Sequence, residues 1–224
     1  MWHEYPDAAS CIRDLAGHIA AVLRRDIADN QQAGLAVSGG RSPIALFDAL
    51  SQIQLDWELV TITLVDERYL PSTHADSNER LVRKHLLQNR AAAAGFLSLA
   101  YPPEGMQANL LRANRQKHHI TLAVLGMGED GHTASLFPGA PQLARALDPA
   151  RDDRYVHVSP AKAPYERISL SLNALMHTGG LVLYISGQAK RSVYETAARK
   201  VTSALPISYL IAQKEVPFDV YWHP

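Results

Sequence analysis

The chain has little of what marks several large classes of protein. Its one cysteine, Cys11, cannot form an intramolecular disulfide, which is typical of a protein from a reducing compartment. Lysine and arginine (22 residues) balance aspartate and glutamate (22 residues), so no overall charge favours nucleic acid or an anionic membrane. The apolar stretch 120–125 is far shorter than a bilayer span, and the first residues lack the pattern of a secretory signal. We therefore predict a cytoplasmic protein without nucleic-acid or membrane partners.

Motifs for metals and nucleotides are also missing. The ten histidines show no His-Glu-x-x-His spacing, and a Cys-x-x-Cys pair is absent. There is neither a Walker loop nor a Gly-x-Gly-x-x-Gly fingerprint, and no basic, aromatic-interleaved patch for nucleic acid. The sequence therefore predicts no metal and no cofactor. It does not distinguish a monomer from a weak dimer.

What the chain does contain is a regular alternation of short apolar segments and helical patterns. Strands are predicted at 34–38, 59–65, 120–125, 155–158, 167–172, 181–186 and 218–222. Predicted helices include 77–87, 107–117 and 188–200. Such alternation favours an α/β fold with a mostly parallel sheet and helices on both faces. With 224 residues and no long linker, we expect one domain over residues 1–224.

The first predicted strand ends in Ser38-Gly39-Gly40-Arg41-Ser42, directly before a helix. Glycines let the backbone approach an anion closely, and free N–H groups at a helix start point toward it. The segment is therefore a candidate phosphate cradle. The alternative is a tight turn capped by a serine.

The most informative segment follows the strand at 120–125. Its glycine-rich turn holds a carboxylate, Asp130, and an imidazole, His132, which suits proton transfer near neutral pH. The alternative is a turn in which the histidine only caps or packs. Asp66-Glu67-Arg68 and Lys190 follow two other strands. Since loops at the carboxyl ends of parallel strands converge on one edge, we expect an acid/base enzyme acting on a small phosphorylated molecule.

These motifs resemble the 6-phosphogluconolactonase family. The resemblance is carried by residues 38–43, 65–71, 76–78, 125–138, 167–172 and 187–190, in the family's order. It implies a Rossmann-like fold shared with glucosamine-6-phosphate deaminases and ribose-5-phosphate isomerases. It also implies hydrolysis of 6-phospho-D-glucono-1,5-lactone to 6-phospho-D-gluconate in the oxidative pentose phosphate pathway. Arg41 departs from the commonest family pattern, and residues 212–224 do not align with it.

The resemblance also implies roles for particular residues. His132 is the expected general base, with Asp130 and Asp66 as orienters of the imidazole or of sugar hydroxyls. The expected phosphate ligands are Ser38, Gly39, Gly40, Arg68, Lys190 and Arg167. Backbone N–H groups of the glycine turns are candidates for oxyanion stabilisation.

Two alternatives remain open. One is a deaminase or isomerase of the same fold, but Phe137 stands where deaminases carry a glutamate that assists ring opening. The other is a non-catalytic sugar-phosphate-binding domain. Such sensors normally carry a fused DNA-binding helix pair, for which the 33 residues before the first predicted strand leave little room.

Overall fold

The computed structural model describes residues 1–116 and 118–224. Its strands are β1 (Trp2–Glu4), β2 (Ala33–Val37), β3 (Val60–Leu64), β4 (Asp66–Arg68), β5 (Gly95–Leu97), β6 (Leu122–Leu125), β7 (Tyr155–Val158), β8 (Arg167–Leu170), β9 (Leu181–Ser186) and β10 (Phe218–His223). Its α-helices are α1 (Ala8–Asn30), α2 (Ile44–Ser51), α3 (Asn78–His85), α4 (Met106–Arg115), α5 (Leu143–Ala146), α6 (Leu172–Met176), α7 (Gln188–Ala197) and α8 (Ile207–Ala212). Short 3₁₀ helices lie at Trp57–Leu59, Asn89–Ala93 and Pro102–Glu104.

The main sheet has the strand order β1-β10-β9-β6-β2-β3-β5, and every pairing described in it is parallel. Strands β2 and β6 are buried along their whole length, which explains their continuous apolar sequence. The α/β fold with a mostly parallel sheet is confirmed. Because β9, β6, β2 and β3 are neighbours, the loops that follow them lie side by side at one edge.

A second, three-stranded sheet was not predicted. Strands β7 and β8 form where expected, but they pair antiparallel, and β8 pairs antiparallel with β4. The loop 159–166 is too short for a parallel crossover, which needs about a dozen residues or more. Because residues 66–68 pair with β8, they form a separate strand and are not simply the charged end of β3.

Helix ends follow local capping chemistry. Asp7 accepts a hydrogen bond from the Ser10 N–H at the start of α1, and Ser77 accepts one from the Arg80 N–H at the start of α3. Helix α4 begins and ends close to the predicted bounds, although Lys117 lies outside the described residues. None of the helices in the described part of the chain is long and apolar enough to cross a membrane.

Candidate active site

A pocket of about 530 Å³ opens at the edge of the main sheet where β2, β6 and β9 end. Among the residues that line it are the sequence-predicted Ser38, Gly39, Gly40, Asp66, Arg68, His132, Arg167 and Lys190. Asp130 is not in the lining but contacts His132 directly. The fold therefore brings all the predicted residues to one place.

The imidazole of His132 is held by the carboxylate of Asp130. The distance from Nδ1 of His132 to Oδ1 of Asp130 is 2.5 Å, and the same oxygen accepts the His132 backbone N–H at 3.2 Å. An Nδ1–H that donates to a carboxylate leaves Nε2 unprotonated and able to accept a proton. The histidine side chain is 29% exposed, so it remains accessible from the pocket. Of the two aspartates considered, Asp130 is the one that orients the imidazole.

The turn that carries this pair is closed by its own backbone. Gly128 N–H donates to the His132 carbonyl at 2.9 Å, and Gly131 N–H donates to the Gly128 carbonyl at 3.0 Å. Gly126 N–H donates to Ser38 Oγ at 3.4 Å. The three glycine N–H groups of this turn thus donate to protein atoms, and oxyanion stabilisation by the glycine turns stays a prediction.

Gly128 also makes room for the pair formed by His132 and Asp130. A Cβ at this position would lie 2.3 Å from both Cε1 and Nδ1 of His132, and 2.6 Å from Oδ1 of Asp130. Side-chain atoms cannot approach that closely, so a glycine is needed for the imidazole and carboxylate to sit where they do.

Asp66 is buried and held by a different set of contacts. Ser135 Oγ donates to its Oδ2 at 2.5 Å, and the amide of Asn78 donates to its carbonyl at 2.8 Å. Its Oδ1 accepts no hydrogen bond from the described residues, although Asp66 lines the pocket. Asp66 is thus placed to accept a hydrogen bond from a ligand, and Ser135 and Asn78 hold it in place.

Arg68 and Arg167 are direct cross-strand partners in the β4–β8 pair. Like charges in this position repel, and a bound anion between them removes that cost. Each guanidinium is aimed by one backbone carbonyl: Arg68 Nη1 donates to the carbonyl of Asp76, and Arg167 Nη2 donates to that of Pro164 at 3.0 Å. Burial lowers the pKa of Arg167, and its Nε has no partner among the described residues. The pair has the geometry of an anion clamp.

The first glycine turn offers backbone donors to the same space. The N–H groups of Gly39, Gly40 and Arg41 donate to no atom of the described residues. Gly40 has a φ of +97°, a conformation that favours glycine. A Cβ on Gly39 would lie 1.9 Å from Oδ1 of Asn78, so this glycine is required by close packing. Arg41 lines the pocket and adds a cation to its rim.

Lys190 lies on the first turn of α7, and the end of β10 fixes that turn. The Trp222 indole donates to the Gly187 carbonyl at 3.1 Å, and Gly187 N–H donates to the His223 carbonyl at 2.9 Å. The next residue, Arg191, lies with its guanidinium carbon 4.7 Å from the Trp222 ring. Burial lowers the pKa of the Lys190 ammonium, and the negative charge of Glu129 opposes this shift. Residues 222 and 223, in a segment for which the sequence predicts no role, thus contact the start of the helix that carries Lys190.

Tyr165 is a pocket residue that the sequence did not single out, and its partner Asp76 lies in one of the motifs noted in the sequence, residues 76–78. The Tyr165 hydroxyl donates to Oδ2 of Asp76 at 3.0 Å and joins the loop 159–166 to the loop before α3. Tyr165 has a φ of +70°, which is uncommon for a residue with a side chain. The hydrogen bond to Asp76 raises the pKa of its phenol. No local pattern in the sequence points to this contact, because it joins residues far apart in the chain.

Glu67 precedes Arg68 on β4 and is almost fully buried. Its carboxylate accepts hydrogen bonds from the N–H groups of Arg68, Asn78 and Glu79 and from Ser77 Oγ. Burial raises its pKa to about 7, and the four donors act in the opposite direction. These contacts tie β4 to the start of α3.

Within residues 1–116 and 118–224, no group of three or more histidine, cysteine, aspartate or glutamate side chains is arranged to hold a metal ion.

Comparisons with known proteins place this chain among enzymes of sugar-phosphate metabolism. The family model for glucosamine-6-phosphate isomerases/6-phosphogluconolactonase matches residues 6–222. The 6-phosphogluconolactonase of Neisseria meningitidis is 42% identical over 99% of this chain and 98% of its own length. That of Pseudomonas aeruginosa is 39% identical over 97% of this chain and 92% of its own.

Solved structures agree. A crystal structure of a putative 6-phosphogluconolactonase from Neisseria gonorrhoeae has a TM-score of 0.95 at 43% identity, covering 100% of this chain and 99% of its own. A monomeric glucosamine-6-phosphate deaminase has a TM-score of 0.81 at 15% identity, covering 98% of this chain and 96% of its own, and so shares the fold.

Proposed function

Because the chain belongs to the family of glucosamine-6-phosphate isomerases and 6-phosphogluconolactonases, we propose that the pocket at the edge of its sheet is the active site of a lactonase. The enzyme hydrolyses 6-phospho-D-glucono-1,5-lactone to 6-phospho-D-gluconate, a step of the oxidative pentose phosphate pathway. One observation supports the assignment of this reaction to the pocket. The imidazole of His132, bound by a carboxylate, lines the same cavity as the cross-strand pair Arg68 and Arg167.

His132 acts as the general base. Its unprotonated Nε2 takes a proton from a water molecule while the water oxygen bonds to C1 of the lactone. When the tetrahedral intermediate collapses, the bond from C1 to the ring oxygen breaks, and the imidazolium returns the proton to that oxygen. Asp130 keeps the imidazole in the required tautomer and compensates its positive charge. Such proton transfer typically contributes about 10² to 10⁴-fold to a rate.

The phosphate of the substrate anchors the lactone. Arg68, Arg167 and Lys190 supply positive charge, while Ser38 and the free N–H groups of Gly39 and Gly40 supply further donors. Asp66 has one carboxylate oxygen that accepts no hydrogen bond from the residues the structure describes, and this oxygen accepts one from a sugar hydroxyl. By binding the phosphate, which is remote from C1, the site holds C1 of the lactone next to His132.

A deaminase reaction is not favoured by the same pocket. Phe137 lines it at the position where the resemblance places the deaminase glutamate, and a phenyl ring cannot exchange a proton. Incubation with glucosamine 6-phosphate should therefore release no ammonia.

The decisive assay generates the lactone from glucose 6-phosphate and follows its loss above the spontaneous rate. His132→Ala should lower kcat by about 10² to 10⁴-fold with a smaller change in KM. The matched control is His85→Ala, since His85 Nδ1 also contacts an aspartate, Asp48, at 2.9 Å but lies outside the pocket. Wild-type turnover in His132→Ala would show that His132 is not the general base. Absence of any acceleration by the unmodified enzyme would reject the function itself.

Two further properties complete the proposal. Residues 1–224 form one domain, supported by a single cluster of buried apolar side chains that extends from Cys11 to Trp222. The enzyme works in the cytoplasm, where a phosphorylated sugar is retained as a metabolite.

A further inference from the structure

We propose that Phe137 is a positioning residue for this reaction: its ring is the platform that holds the imidazole of His132 in its catalytic orientation. The inference rests on the proposed role of His132 as the base. Phe137 lines the pocket, and its ring centroid lies 4.2 Å from that of the imidazole with 29° between the ring planes.

A platform is needed because the hydrogen bond from Nδ1 of His132 to Asp130 fixes only one atom of the imidazole. With Nδ1 as the only hydrogen-bonded ring atom, small coupled rotations about the Cα–Cβ and Cβ–Cγ bonds can still tilt the ring and carry Nε2 away from the water it must deprotonate. An aromatic ring stacked on one face of the imidazole removes this freedom. It also covers that face, so water approaches Nε2 along the ring plane.

The platform itself is held by the backbone around it. Phe137 N–H donates to the Ser135 carbonyl at 3.1 Å, and the Phe137 carbonyl accepts from Ala140 N–H at 3.2 Å. Ser135 is in turn bound to Ser169 and to Asp66. The segment that carries the phenyl ring is thus tied to the small antiparallel sheet.

The same ring reaches the phosphate clamp. The guanidinium carbon of Arg167 lies over the Phe137 ring, 5.8 Å from its centroid. One side chain thus contacts both the base and an arginine that binds the phosphate. The π face attracts the guanidinium, and it also attracts the imidazolium that forms during turnover. Phe137 therefore keeps the anchor and the base at a fixed separation.

This role requires a flat ring, and that requirement is testable. Phe137→Leu fills similar space without a planar face and should lower kcat about tenfold or more, with a smaller change in KM, because misplacement of about 1 Å can cost about 10²-fold. Phe137→Tyr retains the ring and should restore kcat to within about threefold of wild type. Should Phe137→Leu prove unstable in thermal unfolding, Phe137→Met serves as the non-aromatic variant.

The matched control is Phe96→Leu. Phe96 is also partly buried and has an arginine, Arg83, over its ring at 4.9 Å, but it lies outside the pocket. Its replacement should leave kcat unchanged. If Phe96→Leu and Phe137→Leu lower kcat equally, the loss is a general effect of core packing, and the proposal is wrong.

A double-mutant cycle with His132→Asn separates positioning from packing. If Phe137 acts through the imidazole, Phe137→Leu should cause no further loss of the residual rate in the His132→Asn background, measured at high enzyme concentration. Equal losses in both backgrounds would overturn the proposal. If the single variant Phe137→Leu has wild-type kcat while the single variant His132→Asn is inactive, the role of Phe137 is overturned and the role of His132 as the base stands. Wild-type kcat in His132→Asn would overturn both.

Discussion

A single methyl group at Gly128 should disable the active site without unfolding the protein. The φ angle of Gly128 lies outside the left-handed region, so Gly128→Ala introduces no backbone strain. Its Cβ would instead lie 2.3 Å from Nδ1 of His132 and 2.6 Å from Oδ1 of Asp130. Both of these atoms belong to side chains, which can move. We therefore expect the pair to shift rather than the turn to unfold.

The size of the effect follows from the distances. Carbon atoms in contact lie about 3.5–4.0 Å apart, so the imidazole must retreat by more than about 1 Å. A displacement of about 1 Å at a reacting group can cost about 10²-fold in rate. Gly128→Ala should therefore lower kcat by about 10²-fold, with a smaller change in KM, because the phosphate ligands are not displaced.

The assay is the steady-state rate of lactone loss, with thermal unfolding as a check on the fold. Gly17→Ala, in α1, is the matched control, since Gly17 lies outside the pocket and a Cβ there meets no atom within 4 Å. Its kcat should stay within about twofold of wild type, as is usual where a new side chain meets no neighbour. A wild-type kcat in Gly128→Ala would refute the reasoning, because it would mean that the observed placement of His132 and Asp130 is not needed for turnover.

Two further predictions concern Trp222 and Glu67, neither of which takes part in the proton transfer. Trp222→Phe removes the hydrogen bond to the Gly187 carbonyl, which is worth about 0.5–1.5 kcal/mol. The variant should raise KM up to about tenfold with little change in kcat. An unchanged KM would show that this contact does not position Lys190. Burial raises the pKa of Glu67 from 4.5 to about 7, so in this window the folded protein binds a proton that the unfolded chain has released. The free energy of unfolding of the protein should therefore fall as pH rises from about 4.5 to about 7. The Glu67→Gln variant should lack this part of the pH dependence when its unfolding is measured by urea denaturation.

The sequence revealed the parts of the site that have a local signature. His132 could be found because a histidine in a glycine turn after a buried strand is visible within a few residues. Ser38 and Lys190 could be found in the same way, since each follows an apolar strand. Convergence of these loops on one edge then follows from a parallel sheet.

Other features depend on contacts that no local pattern records. Asp130 and Asp66 were equal candidates as orienters, and only their placement separates a carboxylate on the imidazole from one bound to Ser135. The pairing of Arg68 with Arg167 requires knowing which strands join in the antiparallel sheet. Trp222 acts through one N–H on a carbonyl 35 positions away, and its sequence neighbourhood gives no sign of this.

The position of β10 in the sheet has a consequence for how the enzyme is made. This strand lies between β1 and β9, and its Asp219 contacts His3, 216 positions earlier in the chain. Pairing over such a separation is slow to form. During synthesis, β9 and α7 emerge well before the tryptophan that pins their junction. A chain that has been synthesised through α7 but not through β10 therefore lacks the contact that fixes the first turn of α7, and Lys190 is held in place only after β10 has paired with β9.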